Sequence, residues 1–295
     1  MRARRAAALL AVFVVLVAVA TYVVVRKIGD NLQLGLPTRA CTVDGGSGAS
    51  LGPSEEPVTL DVTQIANAAT IGAVGLRRGM PPQAIVVALA TAFQESKLEN
   101  LDSGDRDSIG LFQQRPSQGW GTPEQLADPR YAANAFYTSL LKVKGWQHMR
   151  VTDAAQAVQH SAHPEAYQKW EAKAQVLTRA LAGQAPGAVT CTLTGPPTSH
   201  GPTAAAHLAA SVKLDWGTVK TVSVANLVGL ALSARNQTAG WQYAHWLVAH
   251  AEQNSVQRVR FAGREWTAKT GAWKPVTDSK DSTTSQRVVA EVFTT

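Results

Sequence analysis

The segment from Met80 to Phe93 opens with Pro81-Pro82, suited to the first turn of a helix, and is then almost wholly apolar, as a helix buried on all sides must be. A chain holding such a helix has to wrap other elements around it, so its axis crosses the core. The helix also carries a carboxylate to its end. At helical spacing Glu95 shares a face with Ala88, Thr91 and Ala92, while Leu89 and Phe93 fill the neighbouring stripe. Those small side chains leave space above the acid, the arrangement expected at the floor of a cleft.

The rest of the span 58–183 also reads as helical. Asp128-Pro129 caps and starts a helix carrying Tyr131, Phe136, Tyr137, Leu140 and Leu141. Asp153 caps the next, and His163-Pro164 begins a last one with Tyr167 and Trp170. A span of this length buries a sizeable core. Linkers flank it: residues 28–57, with the flexible stretch Asp44–Pro53, and residues 184–205, rich in Gly, Pro and Thr. Residues 206–295 read as a small α+β accessory domain. There Gly240–Ala251 forms an amphipathic helix, Val256–Phe261 and Arg264–Thr267 form strands, Lys269–Ala272 turns, and Gln286–Phe293 closes the chain as a further strand.

Compartment comes from the N-terminus. Met1-Arg2-Ala3-Arg4-Arg5 precedes about twenty apolar residues, Ala6 to Val25, a length that spans a bilayer, before Arg26-Lys27. The basic cluster ahead of the span favours a cytoplasmic tip with everything after it exported. Ala18-Val19-Ala20 has the small-x-small form of a signal-peptide cleavage site, but Tyr22–Val25 continue the apolar run beyond it. Residues 1–27 are therefore expected to be a single-pass anchor in the cell membrane, with the bulk of the chain extracytoplasmic. Only two cysteines occur, Cys41 and Cys191, one on each side of the helical span. In an oxidising compartment they are expected to pair and clasp it, with a stabilisation of about 4–5 kcal/mol on a chain-entropy argument. The alternative is two free thiols in linkers.

Glu95-Ser96, followed by Gly110-Leu111-Phe112-Gln113, resembles the signature of the lysozyme-like lytic transglycosylases and goose-type lysozymes. That family adds a helix with Ala-Tyr-Asn. The corresponding segment here, Ala154–Ser161, has Val158 in place of the tyrosine and Gln159 in place of the asparagine. The resemblance covers roughly residues 58–183. It implies a lysozyme-like helical fold and cleavage of the β-1,4 bond between N-acetylmuramic acid and N-acetylglucosamine, with Glu95 as the single acid/base. Ser96 would orient the cleft, and Gln113 would bind the sugar or fix Glu95.

An acid in that role must be held protonated near the leaving oxygen, which requires an apolar, partly buried pocket. The resulting carboxylate then activates either the sugar's own 6-hydroxyl or a water. An inverting hydrolase would need a second carboxylate roughly 6.5–9.5 Å away. The loop Asp102–Ser108 offers Asp102, Asp105 and Asp107, of which Asp107 lies closest to the Gly-Leu-Phe-Gln turn, although clustered Asp, Ser and Gly more often bond their own backbone. The loop lacks the ligand spacing of a calcium-binding EF-hand. Trp120, in a glycine-flanked turn, is positioned either to stack on a sugar ring or to lid the core, and Tyr131 and Tyr167 are further sugar contacts to consider.

The order of elements after residue 206 is similar to the C-terminal part of zinc peptidases of the D-Ala-D-Ala carboxypeptidase group. Where that group carries its His-x-His ligands, this chain has Val289 and Glu291, so a lost zinc centre is implied. His245 and His250 are five apart, not the four that would align two ligands on one helical face, and His160 and His163 straddle a break at Pro164. No cofactor or metal is expected. A net charge of +7 suits anionic partners, here cell-wall polymers or acidic headgroups. Nucleic acid is disfavoured, because no concentrated basic face carries interleaved aromatics. The expected protein is thus a membrane-anchored, exported enzyme acting on peptidoglycan glycan strands, with growth or the assembly of a secretion or conjugation machine as its expected setting. Its alternative is a catalytically weak glycan-binding or scaffold protein.

Overall fold

The protein is described as a computed structural model covering residues 40–45, 56–276 and 286–295. The expected anchor at 1–27 and most of the flexible stretch at 44–53 lie outside the described residues. No helix among the described residues is long and apolar enough to cross a membrane.

Three short strands open and close the helical part. β1 (Ala40–Val43) is the middle strand of an antiparallel sheet, between β2 (Val58–Asp61) and β3 (Val189–Thr192). Cys41 faces Cys191 across the β1/β3 pair, and the two form a disulfide, as expected. Alternation does the rest: Cys41 and Val43, Val58 and Leu60, Val189 and Cys191 all point inward. The two segments expected to be linkers therefore contain β1 and β3, and the span read as all-helical begins with β2.

Asp61 ends β2 and caps α1 (Val62–Arg77), accepting from the backbone of Thr63 and Gln64 while Gln64 Oε1 accepts from the Asp61 N–H. α1 is buried from Ile65 through Gly75. α2 (Pro82–Ser96) is the apolar helix anticipated from the sequence, with Ala84 through Phe93 buried. Around these two pack α3 (Pro123–Leu126), α4 (Pro129–Leu140), α5 (Val151–Gln159) and α6 (Glu171–Leu181). Asp128 caps α4 as expected, accepting from Arg130 N. Two expected helix starts are corrected. Asp153 is not a cap but lies in the first turn of α5, held by Arg150 at 2.7 Å, and Tyr167 and Trp170 sit in turn and 3-10 structure ahead of α6.

Beyond β3 come α7 (Gly201–Trp216), β4 (Gly229–Ser233), α8 (Gln237–Ala249), β5 (Val256–Phe261), β6 (Arg264–Thr267), β7 (Trp273–Pro275) and β8 (Arg287–Val292). The five strands form an antiparallel sheet ordered β4-β8-β5-β6-β7. The architecture of the described residues is thus α+β, with eight α-helices and two antiparallel sheets. A continuous buried core joins the helical part to this sheet, and the described residues from Ala40 onward belong to one compact unit.

At the centre of that junction is the buried carboxylate of Asp215 on α7. Arg130 Nε donates to it at 2.6 Å, Thr70 Oγ1 at 2.8 Å and Trp246 Nε1 at 2.7 Å, drawing α4, α1 and α8 together. A buried charge persists only where paired and hydrogen-bonded, and here both carboxylate oxygens are satisfied.

Candidate active site

Glu95 lies in the last turn of α2, which ends where Lys97 adopts a left-handed conformation (φ 59°). The carboxylate is half-buried. Tyr167, fully enclosed, donates its hydroxyl to Glu95 Oε1 at 2.7 Å. Burial first, and then the Glu95 charge, hold the Tyr167 phenol well above its ordinary range, so it remains a proton donor to the acid. Among the described residues neither Lys97 nor Arg106 forms an ion pair with Glu95. The Lys97 ammonium donates instead to the Phe93 and Gln94 carbonyls, and Arg106 sits 3.8 Å from Asp105.

The Gly-Leu-Phe-Gln turn is held beside the end of α2. Ile109 and Gln114 pair through two backbone bonds, and Gly110 has φ 78° with its backbone close against the Leu126 carbonyl, where a Cβ would approach to 2.4 Å. Ser96 Oγ donates to Leu111 O at 2.8 Å. Ser96 is buried, so its hydroxyl joins the acid-bearing helix to the turn rather than facing a ligand. From the other side, Gln159 Nε2 on α5 donates to Phe112 O at 2.8 Å. Gln159 thus ties the third sequence element to the second, while Val158 beside it is buried.

Gln113 adopts a left-handed conformation (φ 47°) and donates to Gly110 O at 3.1 Å; no bond joins it to Glu95. The loop Asp102–Ser108 rests on its amide, since a Cβ on Gly104 would fall 1.7 Å from Gln113 Oε1. In that loop both Asp107 oxygens hold protein donors. Asp107 accepts from Arg115 Nε and from the Ser117 N–H, both at 2.8 Å, and these bonds hold its carboxyl well below the usual carboxylate range. Its place is that of a clamp between residues 107 and 117.

Trp120 and Gln159 come together in an open groove of about 570 Å³, whose wall also includes Lys142, Val158 and His160. Trp120 is half-buried and packs on the core, and Tyr131 donates to its carbonyl at 3.2 Å. Tyr167 offers no free stacking face because its ring is enclosed. The structure therefore unites Glu95 with Tyr167, Ser96 and Gln159 with the turn, and Trp120 with Gln159 in one groove.

One side chain beside the acid was read from the sequence only as part of a helix. Trp170 stacks flat on Phe93 (centroids 5.1 Å apart, 4° between planes) and its Nε1 donates to Gln94 Oε1 at 3.0 Å. The signal was its place three residues after Tyr167, which carries both side chains to the end of α2.

In the C-terminal part, Val289 is buried and Glu291 lies close to Arg260 Nη2, as its hydrogen-bond acceptor. His245 and His250 are buried on α8, and the described residues contain no group of three or more side chains able to hold a metal ion. No protein-family model matches the chain, and no curated protein matches it either.

Proposed function

We propose that the chain cleaves the β-1,4 bond between N-acetylmuramic acid and N-acetylglucosamine in peptidoglycan, with Glu95 as its acid/base. The observation carrying this reading is the convergence on the end of α2. The acid is half-buried and gripped by an enclosed tyrosine, and the turn resembling that of lytic transglycosylases is pinned beside it by Ser96 and Gln159. The lysozyme-like character of the helical part belongs to this proposal.

In the first step the Glu95 carboxylic acid gives its proton to the glycosidic oxygen as the bond from that oxygen to C1 breaks. The Glu95 carboxylate then takes a proton from the hydroxyl whose oxygen attacks C1, so the enzyme ends as it began. Attack by the sugar's own 6-hydroxyl yields a 1,6-anhydro end, and attack by water yields a reducing end. The bonds from Arg115 and Ser117 favour the first route, because they hold Asp107 well below the usual carboxylate range and so make it a poor base toward a water. The Tyr167 hydroxyl fixes the orientation of the carboxyl group throughout.

The setting proposed is the outer face of a cell membrane, with residues 1–27 as the anchor. The Cys41–Cys191 disulfide suits an oxidising compartment. The test is mass spectrometry of purified peptidoglycan treated with wild type or Glu95→Gln. Anhydro-muropeptides made only by the wild type support the reading, and reducing-end products would replace it with a lysozyme. A wild type that pellets with the wall yet releases nothing would replace it with the glycan-binding alternative.

A further inference from the structure

Beside Glu95 the fold gathers three lysines around one indole ring. The Lys97, Lys169 and Lys173 ammoniums lie 4.7, 5.5 and 5.6 Å from the centroid of the Trp170 ring. That ring is immobilised by its stack on Phe93 and its bond to Gln94, the two residues preceding Glu95. Lys169 follows Tyr167, the partner of Glu95, by two positions, and Lys97 follows Glu95 itself by two.

None of the three lysines forms an ion pair among the described residues. Glu171, between Lys169 and Lys173 in sequence, is turned to the Gln168 and Gln175 amides instead. Glu165 is bound by Arg150 and Glu95 by Tyr167. Attraction to the indole face offsets part of the repulsion between the like charges. The Lys97 ammonium registers that repulsion: burial and then the Lys169 charge lower its pKa, against a smaller upward effect of the Glu95 charge. An anion seated among the three would relieve it.

We propose that Trp170 with Lys97, Lys169 and Lys173 is a binding site for the carboxylates of peptidoglycan stem peptides, setting the glycan in register over Glu95. The assignment rests on the function proposed above for Glu95. The uncharged glycan backbone offers such a site nothing, whereas the stem peptide on each muramic acid carries several carboxylates close to the bond to be cut. Cleavage and this recognition are separable, so the test measures binding in the inactive Glu95→Gln chain.

The measurement is the affinity of that chain for soluble glycan strands with stem peptides, for the same strands with their peptide carboxylates converted to amides, and for a glycerol-phosphate polymer. Lys169→Gln with Lys173→Gln is the variant, since both side chains are exposed and neither holds a hydrogen bond in the fold. Unmodified strands should bind roughly tenfold tighter than amidated ones, and the double variant should lose that advantage, as expected for removing two exposed charge pairs. Replacing both lysines with arginine should restore it. Equal binding of unmodified and amidated strands would overturn the proposal, as would an undiminished preference in the double variant. Preferential binding of the phosphate polymer would overturn the carboxylate assignment. All three outcomes stand apart from the product analysis that tests Glu95.

Discussion

The stability of this fold should fall steeply in mild acid because of one side chain. His245 sits on α8 with no exposed surface, its Nδ1 2.7 Å from the Ala180 carbonyl and its Nε2 buried without a partner. Burial pushes its pKa down from the ordinary 6.5 to about 4, against a smaller upward effect of the Ala180 bond. Between those two values the unfolded chain binds a proton there and the native chain does not, so stability rises with pH through this window and is lost as pH falls through it. Each pH unit of that difference is worth about 1.4 kcal/mol, giving a loss of about 3 kcal/mol from pH 6.5 to pH 4. His250, also buried and lowered, adds to the loss in the same direction. The perturbation is His245→Asn, whose amide can still donate to the Ala180 oxygen but does not titrate. Urea unfolding of the full-length chain at several pH values should show the variant losing about 3 kcal/mol less than wild type over this range. If the two stability curves run parallel between pH 4 and 6.5, the reasoning is wrong.

Two further outcomes follow from the same geometry. Tyr167→Phe removes the hydroxyl that holds Glu95; a hydrogen bond to a charged group is worth about 1.5–3 kcal/mol, so muropeptide release should slow by about 10- to 100-fold with wall binding unchanged, and an unaltered rate would remove Tyr167 from the mechanism. Replacing Cys41 and Cys191 with serine opens a crosslink between residues 150 apart in sequence, for which the chain-entropy relation gives about 5 kcal/mol. Urea titration of the double variant should show a loss approaching that value, and a loss below about 1 kcal/mol would mean that the unfolded chain is not appreciably constrained by the bond.

Much of this was legible in the sequence where the signal is local. The Pro81-Pro82 start and apolar run specify α2, Asp128-Pro129 specifies α4, and alternation around Val256–Phe261 specifies β5. The disulfide was legible because only two cysteines were available to pair. The three-stranded sheet was not, since each strand has four residues and β1 finds β3 only after the intervening chain has folded back. α7 was read partly as linker because Gly201 and Pro202 punctuate its start, where proline in fact suits the first turn of a helix. At the site, Glu95 and the turn announce themselves as motifs. Spacing could not show that Ser96 spends its hydroxyl on Leu111, or that Asp107 is consumed by Arg115, because both partners are set by how the chain closes. The lysine platform joins Lys97 to residues more than seventy positions away, so no local spacing in the sequence could bring it together.

The cross-strand disulfide also sets the load path through the molecule. A pull applied between the chain before Ala40 and the C-terminus enters at Cys41 and leaves at Cys191, passing through a covalent bond instead of the hydrogen bonds of β1, β2 and β3. The intervening loop, which contains Glu95, the turn and Trp170, is bypassed. Under tension the sheet beyond β3 would yield first, while the site kept its shape.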